Sequence, residues 1–160
     1  IDGEQYVAVM AGYGGAETYG YLPDGVIFKY KNMGRILAFK LGGSETPLPP
    51  EQVVIKTPAP PETKIKEELI SKGASVYAAY CETCHGGFGN KHFSQHPDLS
   101  KLVLAKHQVF NDIVLKGILS ENGMANFSNS LTEEDVEAIH NFLLKKQTEL
   151  YKKQEAKSVN

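Results

Sequence analysis

The chain has 160 residues and a formal net charge of −2, from 17 basic and 19 acidic side chains. Its 41% apolar fraction supports a modest core and argues against wholesale disorder. The near-neutral balance argues against a nucleic-acid partner, no apolar run reaches the roughly 18 residues of a membrane helix, and 2 cysteines exclude a disulfide-rich scaffold. The first residue is Ile1, and no charged region followed by an apolar stretch is visible. The expectation is a removed export signal or a chain cut from a longer one.

Residues 1–43 are rich in Gly, Tyr and Val. Tyr6-Val7-Ala8-Val9-Met10-Ala11 reads as a strand that stops at the breaker Gly12-Tyr13-Gly14-Gly15. Pro23-Asp24-Gly25 is a turn signal, and a second strand is expected from Gly34 to Leu41, closed by Gly42-Gly43. So few strands cannot bury both faces, so the block reads as part of a larger sheet. Residues 44–63 form a linker, carrying Pro47, Pro49, Pro50, Pro58, Pro60 and Pro61.

From Glu62 the spacing turns helical. Ile65, Leu69, Ile70, Val76 and Tyr77 recur at three- and four-residue intervals up to Tyr80, interrupted by Gly73. A second helix is expected over Lys106–Lys116, stopped by Gly117. The third starts at the N-cap Thr132, with Asp135 at its third position, Leu131 and Val136 as a staple, and acidic Glu133 and Glu134 at the positive end of the dipole. The stretch from Lys152 to Asn160, within a polar tail at 151–160, is expected to fray.

Cys81-Glu82-Thr83-Cys84-His85 carries the chemistry. The C-x-x-C-H spacing reads as c-type haem attachment. Two thiols one helical turn apart can add to the two vinyl groups on one porphyrin edge. The adjacent imidazole then lies under the ring, where a neutral nitrogen can ligate iron. A redox dithiol or half of a zinc site is the alternative, with His92, His96, His107 and His140 available as further zinc ligands.

For the sixth iron position the candidates are Met124 and those four histidines, since Met10 and Met33 precede the linker. Met124 lies in an irregular polar loop, Ser120 to Phe127, and a soft thioether suits iron opposite His. A gap-filling core Met is the alternative. The His85 ring also needs a carbonyl to fix its tautomer, and Pro97 keeps a carbonyl while lacking a donor. The other histidines are expected at surface or loop positions.

With these residues in view, residues 62–150 resemble a class I cytochrome c domain. The resemblance rests on Gly73 and Tyr77, the Cys81–His85 motif, Pro97-Asp98-Leu99, Gly123-Met124 and the helix from Leu131 to Ile139. It implies His85 and Met124 as axial ligands and a crossing of the first and last helices near Gly73 and Phe142. Ala125 departs from the family, where many relatives place Pro. The segments Gln5–Gly15 and Gly34–Gly43 are similar to the end of a pyrroloquinoline-quinone (PQQ) β-propeller. Quinohaemoprotein alcohol dehydrogenases join such a propeller to a cytochrome through a Pro-rich linker.

The resemblance implies a mainly α fold: about three to five helices around one covalent haem c, after a few propeller strands and a linker. It divides the chain into a propeller remnant at 1–43, a linker at 44–63, a cytochrome at 64–150 and a tail at 151–160. It implies periplasmic electron transfer from the PQQ propeller to an external redox protein or dye; the alternatives are a free-standing monohaem cytochrome c carrier and a haem sensor or catalyst with an open sixth site. PQQ and calcium belong to the absent part, which leaves the chain itself an electron-transfer domain and not an alcohol-oxidising enzyme. The orphan strands carry unpaired edges, open to self-pairing with another copy, to folding onto the haem domain or to disorder.

Overall fold

The computed structural model describes residues 2–12, 18–19, 29–31, 34–51, 53, 55–87, 92–93 and 96–158. The breaker at Tyr13-Gly14-Gly15, the turn at Pro23-Asp24-Gly25, Met33 and Gly89 lie outside the described residues. The chain forms two compact units, Ile1–Val54 with Gly89–Gln95, and Ile55–Phe88 with His96–Asn160.

In the first unit both expected strands form. β1 (Tyr6–Ala11) pairs antiparallel with the later strand Arg35–Lys40, from Tyr6 opposite Lys40 to Ala11 opposite Arg35. Between them lies β2 (Thr18–Tyr19), so Arg35–Lys40 is β3. β2 pairs antiparallel with β4 (His92–Phe93). Val7, Val9, Met10, Ile36 and Phe39 stay exposed, so the β1–β3 ribbon satisfies its inner backbone groups without covering its side chains. Two prolines of the Pro-rich segment serve as acceptors: Arg35 Nη1 donates to the Pro47 carbonyl at 2.5 Å and the Lys31 amide to that of Pro50 at 2.9 Å.

The second unit is helical. Its expected helix start at Glu62 gives way to extended chain, because Pro60 and Pro61 hold the approach open and the Lys66 amide is captured by Asn141 Oδ1 at 2.8 Å. A 3₁₀ turn at Glu67–Leu69 then leads into α1 (Ile70–Tyr80), followed by the one-turn α2 (Glu82–His85). Asp98 caps a second 3₁₀ turn at Leu99–Lys101 by accepting from the Ser100 amide at 2.8 Å.

The second expected helix is split. α3 spans Leu104–Gln108, Val109 leaves helical torsions (φ −113°, ψ 18°), and a wide π-type turn covers Asp112–Lys116. Gly117 stops it in the left-handed region (φ 63°), where an added Cβ meets Ser120 Oγ at 2.6 Å.

α4 (Glu133–Ser158) begins as its sequence dictates. Thr132 Oγ1 accepts the Asp135 amide at 3.2 Å, and Asp135 Oδ2 accepts the Thr132 amide at 3.0 Å. The Thr132 hydroxyl, donating to Asp135 Oδ2 at 2.7 Å, then the Thr132 amide and Lys72 Nζ at 3.0 Å, hold the Asp135 carboxyl down to about 2. The expected frayed tail is instead the end of this helix, continuous to Ser158. Gln154 ties it down, accepting the Thr57 amide at 2.8 Å and donating to the Thr57 carbonyl at 3.2 Å.

α1 and α4 cross at Gly73. A Cβ there meets the Ala138 carbonyl oxygen at 2.0 Å and Phe142 Cβ at 2.9 Å, so only hydrogen fits. Around this crossing Tyr77, Phe110, Val114, Leu131, Val136, Ile139, Phe142 and Leu143 form the core. Each large side chain so buried contributes about 1.5–3 kcal/mol.

His107 and His140 correct the expectation of surface histidines. Gln147, fully buried, donates to the carbonyls of Pro58 at 3.1 Å and Leu102 at 3.0 Å. Its Oε1 therefore accepts from His107 Nε2 at 2.8 Å, which leaves His107 Nδ1 to accept from His140 Nε2 at 2.9 Å. His140 also stacks on Phe110, with centroids 4.7 Å apart. Burial, then the neighbouring His107, lowers its pKa to about 4.

Candidate haem site

Cys81 joins α1 to α2. Its carbonyl accepts the amides of Cys84 at 3.2 Å and His85 at 2.8 Å, so both sulfurs and the imidazole are carried on one tight turn. Neither cysteine is in a disulfide; Cys81 is half-buried and Cys84 exposed. Burial first, and Cys84 second, push the Cys81 thiol up to about 11, which keeps it protonated at neutral pH.

The structure brings His85 and Pro97 together, with Nδ1 2.8 Å from the Pro97 carbonyl oxygen. A carbonyl only accepts, so Nδ1 carries the hydrogen and Nε2 keeps the lone pair a metal needs. The His96 ring lies edge-on to His85 at 6.1 Å.

Met124 comes from a different loop and is half-buried. Gly123 turns the chain at φ 89°, and the Met124 amide donates to the Leu119 carbonyl at 3.2 Å. Phe127 leans this loop back onto the core: its amide donates to the Val114 carbonyl at 2.9 Å, and its ring meets Tyr80 edge to face at 6.2 Å. Tyr80 directly precedes Cys81, so the Met124 loop and the attachment turn share an aromatic contact.

These residues fit a c-type haem. Two thiols outside any disulfide sit on one turn, and an imidazole with its Nδ1 hydrogen held by a carbonyl presents Nε2. The zinc alternative finds no ligand set, since among the described residues no group of three or more His, Cys, Asp or Glu side chains is placed to hold a metal.

The sequence reading missed two features. One is the Tyr77 hydroxyl, which donates to the Gly86 carbonyl at 2.5 Å just past His85. The other is the Gln147–His107–His140 chain. The spacing of His140 and Gln147, seven apart on the face that carries Leu143 and Leu144, was its available signal.

Residues 68–143 match the family described as "Cytochrome C oxidase, cbb3-type, subunit III". With the helices, the crossing and the Cys81–His85 turn, this makes the helical unit a cytochrome c domain, a class that holds its haem covalently. Relatives similar along nearly the whole chain include quinohemoprotein alcohol dehydrogenases. One from Pseudomonas putida, ADH-IIG, is 37% identical over 94% of this chain and 21% of its own length. The dehydrogenase subunit of the quinone alcohol dehydrogenase from Acetobacter aceti is 31% identical over 96% of this chain and 21% of its own. The solved structure of the Pseudomonas putida enzyme superposes with a TM-score of 0.71 at 31% identity, over 95% of this chain and 22% of that one. The chain thus spans about a fifth of the length of these relatives. Among the described residues no helix is long and apolar enough to cross a membrane.

Proposed function

We propose that this chain is the C-terminal part of a periplasmic quinohaemoprotein alcohol dehydrogenase, and that it relays electrons through one His/Met-ligated haem c. The observation that carries the reading is the Cys81–His85 turn with His85 Nδ1 held by Pro97. Cys81 and Cys84 would hold the haem as thioethers, each S–H adding across one vinyl group. His85 Nε2 and Met124 Sδ would be the side-chain groups that hold its iron. When bound, the haem would supply a one-electron couple that changes charge without making or breaking bonds, and a thioether paired with imidazole would raise its potential.

Residues 1–43 are read as the last strands of a PQQ propeller, 44–63 as the linker and 64–150 as the haem domain, with α4 prolonging it. The uncovered faces of β1 and β3 support the propeller reading, because such a ribbon lacks the layer a core requires. The propeller is the electron donor, and an external redox protein or dye is the acceptor. Alcohol oxidation, PQQ and calcium belong to the part this chain lacks. The periplasm follows from the attachment chemistry, which needs reduced thiols and haem delivered outside the cytoplasm.

The test is the absorption spectrum of the chain after export and maturation with haem. A pyridine haemochrome of thioether-bound haem and a His/Met signature that Met124→Ala abolishes are expected. Carbon monoxide binding to the wild type without ligand displacement argues against Met124. Turnover of alcohol by this chain alone, supplied with PQQ, calcium and a dye, contradicts the division of labour.

A further inference from the structure

The Cys81–His85 turn is closed at both ends by one residue. The Tyr77 carbonyl accepts the Cys81 amide at 2.8 Å, and the Tyr77 hydroxyl donates to the Gly86 carbonyl at 2.5 Å. Gly86 departs from the helix at φ 74° and ψ 165°, a conformation that L side chains rarely adopt, while its amide still bonds the Glu82 carbonyl at 2.7 Å. The residue after His85 is therefore gripped at both its N–H and its C=O.

Tyr77 is itself immobilised. It is 3% exposed, and its ring packs on Phe142 at 5.4 Å beside the Gly73 crossing. A phenyl ring alone could fill that space. The hydroxyl adds a polar group to the core, and burial above all holds it neutral by raising its pKa. A neutral buried hydroxyl needs an acceptor, and the one here is the carbonyl that follows His85.

We infer that the Tyr77 hydroxyl is a positioning group for the haem ligand His85, fixing through Gly86 the backbone that carries the imidazole while Pro97 fixes the ring. The inference rests on iron ligation by His85, as proposed above. The two restraints act on different atoms and come from different segments. Pro97 fixes the Nδ1–H direction, which still permits rocking about that bond. Tyr77 restrains the backbone behind the rocking, which would narrow the range of imidazole orientations available to a bound haem. That orientation influences the ferric electronic structure and the potential.

The test compares wild type, Tyr77→Phe and Phe142→Leu, each as the full 160-residue chain exported and matured with haem. Phe keeps the ring and removes only the hydroxyl. Leu at 142 loosens the same packing and leaves the hydroxyl in place. Ferric electron paramagnetic resonance, midpoint potential and thermal unfolding are measured on all three. The expected result is a shift of the ferric g values and of the potential in Tyr77→Phe, absent from Phe142→Leu at equal or larger loss of Tm. Loss of haem loading in Tyr77→Phe alone counts the same way. Unchanged g values and potential in Tyr77→Phe overturn the inference, as does an equal shift or an equal loss of loading in Phe142→Leu. A wild type without thioether-bound haem overturns the proposed function and this inference together. A loaded wild type with a silent Tyr77→Phe overturns the inference alone.

Discussion

In the helical unit Val136, Ile139 and Leu143 are at most 2% exposed, whereas in the strand unit Met10 and Ile36 stay 87% and 75% exposed. Both units are built from similar apolar residues, so composition does not explain the difference. Geometry does. A helix turns one apolar stripe toward a neighbour, and α1 and α4 are enough to cover each other's stripes across Gly73. A two-stranded ribbon has two faces, and edge pairing covers neither. The helical unit completes its own core. The strand unit presents the half-finished layer expected of a piece of a larger sheet.

The Pro-rich segment 44–63 shows the same contrast. Pro47 and Pro50 accept from Arg35 and Lys31 near the exposed ribbon. Thr57 and Pro58 are held by Gln154 and the fully buried Gln147 of α4. The sequence is Pro-rich throughout, yet only the second half becomes part of a core.

The comparison is most severely tested at the two glycine sites. Gly73→Ala forces a methyl against the Ala138 carbonyl, and a loss of about 3 kcal/mol or more is expected in denaturant unfolding of the helical unit. Gly34→Ala meets open space and carries only the strain of φ 49°, about 1 kcal/mol. Equal effects break the contrast. Next in size is Gln147→Leu, which strands the His107 donor and the Pro58 and Leu102 carbonyls. A loss of about 3 kcal/mol of unfolding free energy is expected, read as a lower urea midpoint.

Acid sharpens the same point. His140 titrates near 4 in the folded unit, below its unfolded value of 6.5. As pH falls from 6.5, the unfolded chain takes up the proton first, so stability present above 6.5 is lost progressively down to about 4. The loss is on the order of 2–3 kcal/mol, and His140→Phe, which keeps the stack on Phe110, flattens the slope. Urea midpoints between pH 4 and 7 check it, and an unchanged slope in the variant refutes the buried neutral pair. The smallest effect belongs to Met10→Ser, within about 0.5 kcal/mol because the side chain is already in water. A larger loss in that variant shows the strand face to be covered in solution.

Much of this was legible residue by residue. Thr132 and Asp135 cap each other across three positions, and Cys81 to His85 form one turn, so local sequence carried both. The strands β1 and β3 were readable from their β-branched and aromatic runs. The break at Val109, the late start of α1 and the persistence of α4 to Ser158 were not. Each is decided by a partner far along the chain or by accumulated packing, as when Asn141 captures Lys66 and Gln154 captures Thr57. Intrinsic propensity is weaker than such contacts. At the site, the motif announced Cys81, Cys84 and His85, but no spacing rule announces a hydroxyl that meets a carbonyl beyond the motif.

By itself, then, the sequence determined the chemistry: two thiols and an imidazole at fixed short separation, because covalent spacing survives in any fold that makes a helical turn. Only the tertiary structure decided what holds that chemistry still. The Pro97 carbonyl on His85 Nδ1, the Tyr77 hydroxyl on Gly86 and the Gln147 amide between helix, loop and linker are contacts between distant segments. The Tyr77 bond in particular is dry because α1 and α4 approach through a glycine, which packs the Tyr77 ring on Phe142 and excludes water from its hydroxyl.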